Sequence, residues 1–389
     1  MNVHELVKKY EDFTIHMRRS FHSQPELSSK EYETTRKIKE ALDSWGIECI
    51  TPAETGVIAL IHGKKPGKTI GLRADIDALP VQELIDCSYK SQHDGVMHAC
   101  GHDVHAAALL SAARILNEVK DNFSGTVKLI FQPSEEYFPS GAKAMMSKGD
   151  LNDLDAVMTM HVRCELPLGQ AAIMSGAINA GSSSVDITVT GKGGHAARPQ
   201  ECVDALVTAS AMVMNLQTVV SRELSINNSA VFSFGTLHAG TAKNVIAETA
   251  VLSGTLRYYD VGLFSKLTEA ITRIAQGTAQ AYRASADVAV TPGLPPIVND
   301  EKLAKIAKAA AIELWGAESV VTLPRSTGVE DFAYYGDIAP IIQIGLGSNN
   351  GMPETLYPRH NPRHNVDERC IGRGVELYVQ FALDYLKSE

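Results

Sequence analysis

Stretches of helical periodicity alternate with short apolar runs along the first half of the chain. Apolar positions three and four apart predict helices over 3–21 and 29–45, the second closed by Gly46. Apolar runs at 57–62 and 69–72 predict short strands, the second leading into Arg73-Ala74-Asp75-Ile76-Asp77. A helix over 103–119 comes next, then a buried strand over 125–131 ending in Gln132-Pro133, then a strand over 156–160 ending in His161. Strands alternating with helices at this spacing predict an α/β fold. Its sheet is mixed and mostly parallel, sandwiched by helices.

The pattern changes near Gly181. Strict alternation over 183–190, 230–237, 248–258 and 286–290 predicts strands, and helical spacing over 203–220 and 263–282 predicts two helices between them. The order β-α-β-β-α-β is that of the ferredoxin-like split unit. Thr291-Pro292-Gly293-Leu294-Pro295-Pro296 reads as a hinge. Helix–strand character then resumes with a helix over 301–315, a strand over 340–346 and a helix over 368–386. The expected organisation is therefore a larger domain in two parts, 1–180 and 292–389, with a small α+β domain at 181–291 inserted between them.

Composition narrows the class. At 389 residues the chain exceeds the size of a single core, which agrees with two domains. Net charge of −9 speaks against a nucleic-acid partner. No run of apolar residues is long enough for a membrane span, and residues 1–20 lack the apolar core of a signal peptide. The six cysteines are scattered without a framework and read as reduced thiols, so the cytoplasm is the expected compartment.

Polar residues with chemical potential gather where strands end. Ligands in open α/β sheets bind at the carboxyl ends of strands. Asp75/Asp77, Glu135/Glu136 and His161 follow predicted strands, and Cys100/His102 precede a predicted helix, so they face the same rim. The stretch Met97-His98-Ala99-Cys100-Gly101-His102-Asp103-Val104-His105 packs a thiol and three imidazoles into nine residues, side chains that borderline and soft divalent metals select. Neighbours on an extended backbone point to opposite sides, so one of Glu135 and Glu136 can face a cation while the other faces substrate. Each feature also has a plainer reading. Paired glutamates are common on surfaces, a lone His161 in an apolar strand suits a core histidine, and His98 and His105 suit packing or support. His360 and His364 lie in the Pro-rich loop Tyr357-Pro358-Arg359-His360-Asn361-Pro362-Arg363-His364, where either is open to a turn role. Gly191-Lys192-Gly193-Gly194-His195 lacks the ending of a phosphate-binding loop and suits a group presented on a flexible turn. Asn244 and Arg257 offer donors to a carboxylate, or are surface residues. Glu330-Asp331 opens a predicted helix and suits its dipole.

Taken in order, Arg73-Ala74-Asp75-Ile76-Asp77-Ala78-Leu79-Pro80, Met97-His98-Ala99-Cys100-Gly101-His102-Asp103, Phe131-Gln132-Pro133-Ser134-Glu135-Glu136, Met160-His161, Gly193-Gly194-His195-Ala196-Ala197, Asn244-Val245-Ile246, Glu330-Asp331-Phe332-Ala333 and His360-Asn361-Pro362 resemble the aminoacylase and carboxypeptidase-G-like two-metal amidohydrolases. The branch resembled is that of hippurate hydrolases, indole-acetyl-amino-acid hydrolases and N-acetyl-amino-acid deacetylases. The resemblance spans nearly the whole chain. It implies a catalytic domain with an inserted lid that forms homodimers or higher oligomers, and two divalent ions (Zn, Mn, Co or Ni) per subunit. It implies Cys100, His102, Glu136, His161 and His360 as metal ligands, with Cys100 bridging and Glu135 as general base. Asp77 would steady the site, His195 would stabilise the oxyanion, and Asn244 and Arg257 would hold the substrate carboxylate. The implied reaction is hydrolysis of N-acyl amino acids, with a two-metal aminopeptidase or dipeptidase as the alternative. Two departures stand out. Ala247 follows Asn244-Val245-Ile246 where the family has proline, and Arg363-His364-Asn365 replace an aromatic and an acidic residue, so His364 competes with His360 as ligand.

Overall fold

The structure, a computed structural model, describes residues 2–388. It divides into two compact units: Met1–Gly176 with Val298–Pro324 and Asp331–Glu389, and Ala177–Ile297 with Arg325–Glu330.

The first unit is built on an eight-stranded sheet. Its strand order is Glu48–Ile50, Val57–His62, Thr126–Gln132, Thr69–Asp75, Ala156–Pro167, Ile341–Asn349, Ala171–Ala172, Val320–Val321. The four central strands, Thr126–Gln132 to Ile341–Asn349, run parallel, while Val57–His62 and Glu48–Ile50 continue the sheet antiparallel. Six of the seven residues of Thr69–Asp75 and of Thr126–Gln132 are buried in succession, as are the first seven of Ala156–Pro167. Unbroken burial means that both faces of the sheet are covered, so the expected mixed α/β layering is found. The helix His102–Glu118 is apolar nearly all round and packs on the central strands together with Arg369–Lys387. Both belong to one continuous core with Ile70, Leu72, Leu129, Met158 and Ile344.

The second unit carries a four-stranded antiparallel sheet in the order Ala230–Ala239, Thr249–Tyr258, Gly181–Thr190, Ser285–Pro292. Burial along Gly181–Thr190 alternates, so one face is buried and the other is not. Helices Ala205–Leu216 and Leu263–Ala281 cover the buried face and share a core with Val185, Ile187 and Val189. This is the split β-α-β-β-α-β order. The segment Arg325–Glu330 joins the unit through Ser326, whose N–H donates to Ile178 O at 2.8 Å.

Several elements differ from the sequence expectation. The first helix breaks at Tyr10 into Val3–Lys9 and Glu11–Ser23, where Tyr10 leaves helical geometry (φ −110°, ψ 10°) and its hydroxyl reaches Glu118. The helix expected over 203–220 starts at Ala205, because Asp204 Oδ1 caps the N–H groups of Leu206 and Val207. It breaks again after Leu216. Asp331 opens a 3-10 helix, Asp331–Asp337, rather than an α-helix. His161 does not end its strand, which runs on to Pro167: Ile341–Asn349 pairs with it as far as Arg163 and, past an irregularity in the register, again at Pro167.

Candidate metal centre

The carboxyl ends of the parallel strands bring the sequence-predicted residues of the first unit together. Asp77 lies two residues past Thr69–Asp75, Glu135 and Glu136 lie just past Thr126–Gln132, and His161 sits within Ala156–Pro167. Cys100 and His102 arrive from the opposite direction, at the start of His102–Glu118. Gly101 makes this approach possible. Its φ of 88° is left-handed, and a Cβ there would stand 2.4 Å from Cγ2 of Val162. Only glycine lets the Cys100–His102 turn press against the strand that carries His161.

The donor atoms form overlapping triads. Cys100, His102 and His161 place one ligand atom each within 4.8 Å of one another, as do Cys100, Glu136 and His360, and His102, Glu135 and Glu136. Cys100 Sγ lies 3.5 Å from His161 Nε2. Glu136 Oε1 lies 3.9 Å from His102 Nε2 and 3.2 Å from His360 Nε2. Cys100, His102 and Glu136 therefore each join two of these groups. His360 adopts a left-handed backbone (φ 66°), anchored by its N–H donating to Ala99 O at 2.8 Å. Such strain in a non-glycine residue needs the surroundings to hold it.

The supporting hydrogen bonds fix which nitrogen faces inward. His102 Nδ1 donates to Asp77, 2.9 Å from its carbonyl and 3.1 Å from Oδ1, which turns Nε2 towards the centre. His161 Nδ1 donates to Val162 O at 2.9 Å, so its Nε2 carries a lone pair inward. His105 is different. The Val162 N–H donates to its Nε2 at 3.0 Å and its Nδ1 donates to Asp75 Oδ1 at 2.6 Å, so both nitrogens are used in support. His98 is buried with no hydrogen-bond partner on either nitrogen, and burial pushes it down to about 4. His364 donates from Nδ1 to Tyr357 O at 3.0 Å and belongs to none of the donor triads, whereas His360 does.

Charge at the centre is tightly balanced. Burial opposes the ionisation of Asp77, but its bond from His102 and the N–H of Glu136 hold it below the usual carboxylate range. His102 is likewise opposed by burial and is raised well above its ordinary value by Asp75 and then Cys100. His360 is pushed up to about 10 by Cys100 and Glu136. Burial, reinforced by Arg359, holds His161 well below its ordinary value. Two residues here escaped the sequence reading. Arg359 Nη1 lies 3.1 Å from His161 Nε2, and Glu31 bonds the backbone of Ser134. Neither has a local signature, since an arginine in a loop and a glutamate before a helix are ordinary there.

These donors fit divalent cations. His102 Nε2 is buried with no hydrogen-bond partner, an expensive arrangement unless something else binds it. One thiol, imidazoles and a carboxylate are the donor set of a borderline or soft cation.

The second unit carries the remaining predicted residues. His195 and Asn244 meet on a two-stranded ribbon, where Val245 pairs with His195 and the Ala196 N–H donates to Asn244 O at 3.1 Å. Both side chains are exposed. Arg257 stands apart on the four-stranded sheet, opposite Ser182 and Val231, and donates to Leu256 O at 3.3 Å. Ala247, in place of the family's proline, is buried and accepts the N–H of Ala205 at 3.1 Å.

Donor triads of this composition at the carboxyl rim of a parallel sheet, beside a second glutamate, define a metal-binding hydrolase. The comparisons agree. The chain belongs to the peptidase family M20/M25/M40, whose sequence pattern it matches over residues 71–384. It is 37% identical to an N-acetylcysteine deacetylase of Bacillus subtilis over 383 residues, 98% of this chain and 99% of the relative. It is 38% identical over 386 residues to the IAA-amino acid hydrolase ILR1-like 2 of Arabidopsis thaliana, 97% of this chain and 86% of the relative. Among solved structures it superimposes on the Bacillus subtilis YXEP protein, a dinuclear metal-binding peptidase of the M20 family, with a TM-score of 0.87. That match has 34% identity and covers 98% of this chain and all of the other.

Proposed function

We propose that the protein hydrolyses the amide of N-acyl amino acids, of the N-acetyl or N-benzoyl type, to a carboxylic acid and a free amino acid. One observation carries the reading: Cys100, His102 and Glu136 are each shared between donor groups, while Glu135, next along the turn, stands within reach of His102 and Glu136. The names of the two relatives support an amide of an amino acid as substrate. Cys100, His102, Glu136, His161 and His360 are the residues that would hold two divalent cations. The thiolate favours Zn, Mn, Co or Ni over Mg or Ca. Bound there, such ions supply Lewis acidity that acidifies a water and polarises the scissile carbonyl.

The chain's own residues supply the rest. Glu135 takes the proton of the attacking water and hands it to the leaving amine. Asp77 keeps His102 in the tautomer with its Nε2 lone pair inward. His195 donates to the oxyanion, a contribution on the order of 3 kcal/mol for one donor. Asn244 holds the substrate carboxylate, and the second unit is assigned to subunit association. Turnover of Glu135→Gln on an N-acyl amino acid panel tests the assignment. It should fall by about 10² to 10⁴ with metal content unchanged. Near-parental turnover would remove Glu135 as the base. Faster cleavage of unblocked dipeptides than of any N-acyl amino acid would move the protein to the aminopeptidases.

A further inference from the structure

Two buried carboxylates grip the turn that carries Glu135 and Glu136. Asp77 Oδ2 accepts the N–H of Glu136 at 3.0 Å and the hydroxyl of Ser28 at 2.7 Å. Glu31, wholly buried, plays the matching part on the other side. Its Oε1 accepts the N–H of Ser134 and that of Ser29, each at 2.9 Å, and its Oε2 accepts the Thr55 hydroxyl at 2.8 Å. The N–H groups on either side of Glu135 are therefore each held by a carboxylate from another part of the unit. The turn needs such a grip. Ser134 has a left-handed backbone (φ 49°), which a non-glycine residue adopts only when its surroundings impose it. Its hydroxyl meets that of Ser29 at 3.1 Å, so the segment around Glu31 touches the turn twice.

We propose that Glu31 is a positioning residue for the metal centre, setting where Glu135 and Glu136 stand by fixing the backbone of Ser134. The proposal rests on the reading of Glu136 as a ligand and Glu135 as the base. Three donors converging on one buried carboxylate are more than burial of a stray charge requires; one is the Ser134 backbone itself, and Ser29, which supplies another, also meets the Ser134 hydroxyl. Burial, followed by the charge of Asp77, pushes Glu31 up to about 7. A proton on Oε2 leaves both backbone bonds on Oε1 intact, so the grip survives in either form. For the same reason glutamine at this position keeps the acceptor, whereas aspartate withdraws it by one methylene.

The test uses the full chain loaded with Co²⁺, whose visible spectrum reads the ligand geometry without substrate, together with kcat and KM. Glu31→Asp and Glu31→Ala should shift that spectrum and weaken Co²⁺ binding by about 10- to 100-fold. They should also lower kcat by roughly 10²-fold while KM changes little. Glu31→Gln should keep the parental spectrum and most of the turnover. Thr55→Val, which loosens Glu31 without removing it, should shift the spectrum in the same direction and serves if the alanine variant does not fold. Parental spectra and Co²⁺ affinity in Glu31→Asp and Thr55→Val would overturn the proposal, as would a Glu31→Gln variant as impaired as Glu31→Ala. If the parent cleaves no N-acyl amino acid yet Glu31→Asp still perturbs Co²⁺, the substrate reading fails and the positioning role stands.

Discussion

At the scale of single residues, the site is a matter of which lone pair points where. Cys100, His102 and Glu136 each join two donor groups, and as the one thiol among them Cys100 is the most informative residue to remove. Cys100→Ala should bind fewer than two metal equivalents by elemental analysis, and full retention would exclude it as a bridge. His364 gives a different kind of prediction. It is buried, and burial pushes it down to about 4, while in the unfolded chain it takes a proton near its ordinary value of 6.5. Between those values the unfolded state binds more protons. Its contribution, on the order of 3 kcal/mol, is therefore present above pH 6.5 and lost as pH falls towards 4. The denaturation midpoint of the parent should drop over that window, and His364→Asn should drop less. Local sequence signalled Cys100 and His102, because a thiol and an imidazole two apart at a helix start are chemically conspicuous. Glu31 gave no such signal. Its position before a helix has an everyday explanation in the helix dipole, and its real partner, Ser134, becomes a neighbour only when the strands assemble.

At the scale of elements, burial patterns explain both what the sequence disclosed and what it concealed. Short, mostly apolar runs at 69–72 and 125–131 announced buried strands, and the alternation of Gly181–Thr190 announced a half-covered sheet. The extension of Ala156–Pro167 past His161 was concealed because Arg163, Cys164 and Glu165 are poor local evidence for a strand, and pairing with Ile341–Asn349 decides it. Helices Glu11–Ser23 and His102–Glu118 meet through a buried polar cluster that no periodicity shows. Arg18 Nε donates to Asp103 Oδ2 at 2.8 Å and His22 Nδ1 donates to the same oxygen at 2.7 Å, with Glu83 on the far side of His22. Burial works against the charge on Asp103, but Arg18 and then His22 hold it far below the usual carboxylate range. Removing one partner strands the others. Asp103→Ala should cost about 3–5 kcal/mol in chemical denaturation, and Arg18→Met combined with Asp103→Leu should recover part of that loss. If Asp103→Ala is neutral, the cluster does not hold the two helices together.

At the scale of the whole molecule, metal and fold are linked. The five candidate ligands are spread from residue 100 to residue 360, so an ion held by them favours the folded chain by mass action. At a free concentration about 1,000 times its dissociation constant it contributes roughly 4 kcal/mol. Chelation should therefore lower the melting temperature of the first unit as well as abolish activity, and re-addition of Zn²⁺, Mn²⁺, Co²⁺ or Ni²⁺ should restore both. An unchanged melting temperature on complete metal removal would place the ions outside the fold's stability. The pairing of Ala156–Pro167 with Ile341–Asn349 has one more consequence. A central strand of the sheet waits for a partner that leaves the ribosome only after the entire second unit has been made, and His360 emerges later still. A nascent chain can thus finish its small unit while the strand bearing His161 remains half paired. During synthesis the site stays without its last ligand until the loop bearing His360 has been made. Premature release would yield a chain with an unpartnered central strand, a natural target for chaperones and for quality control.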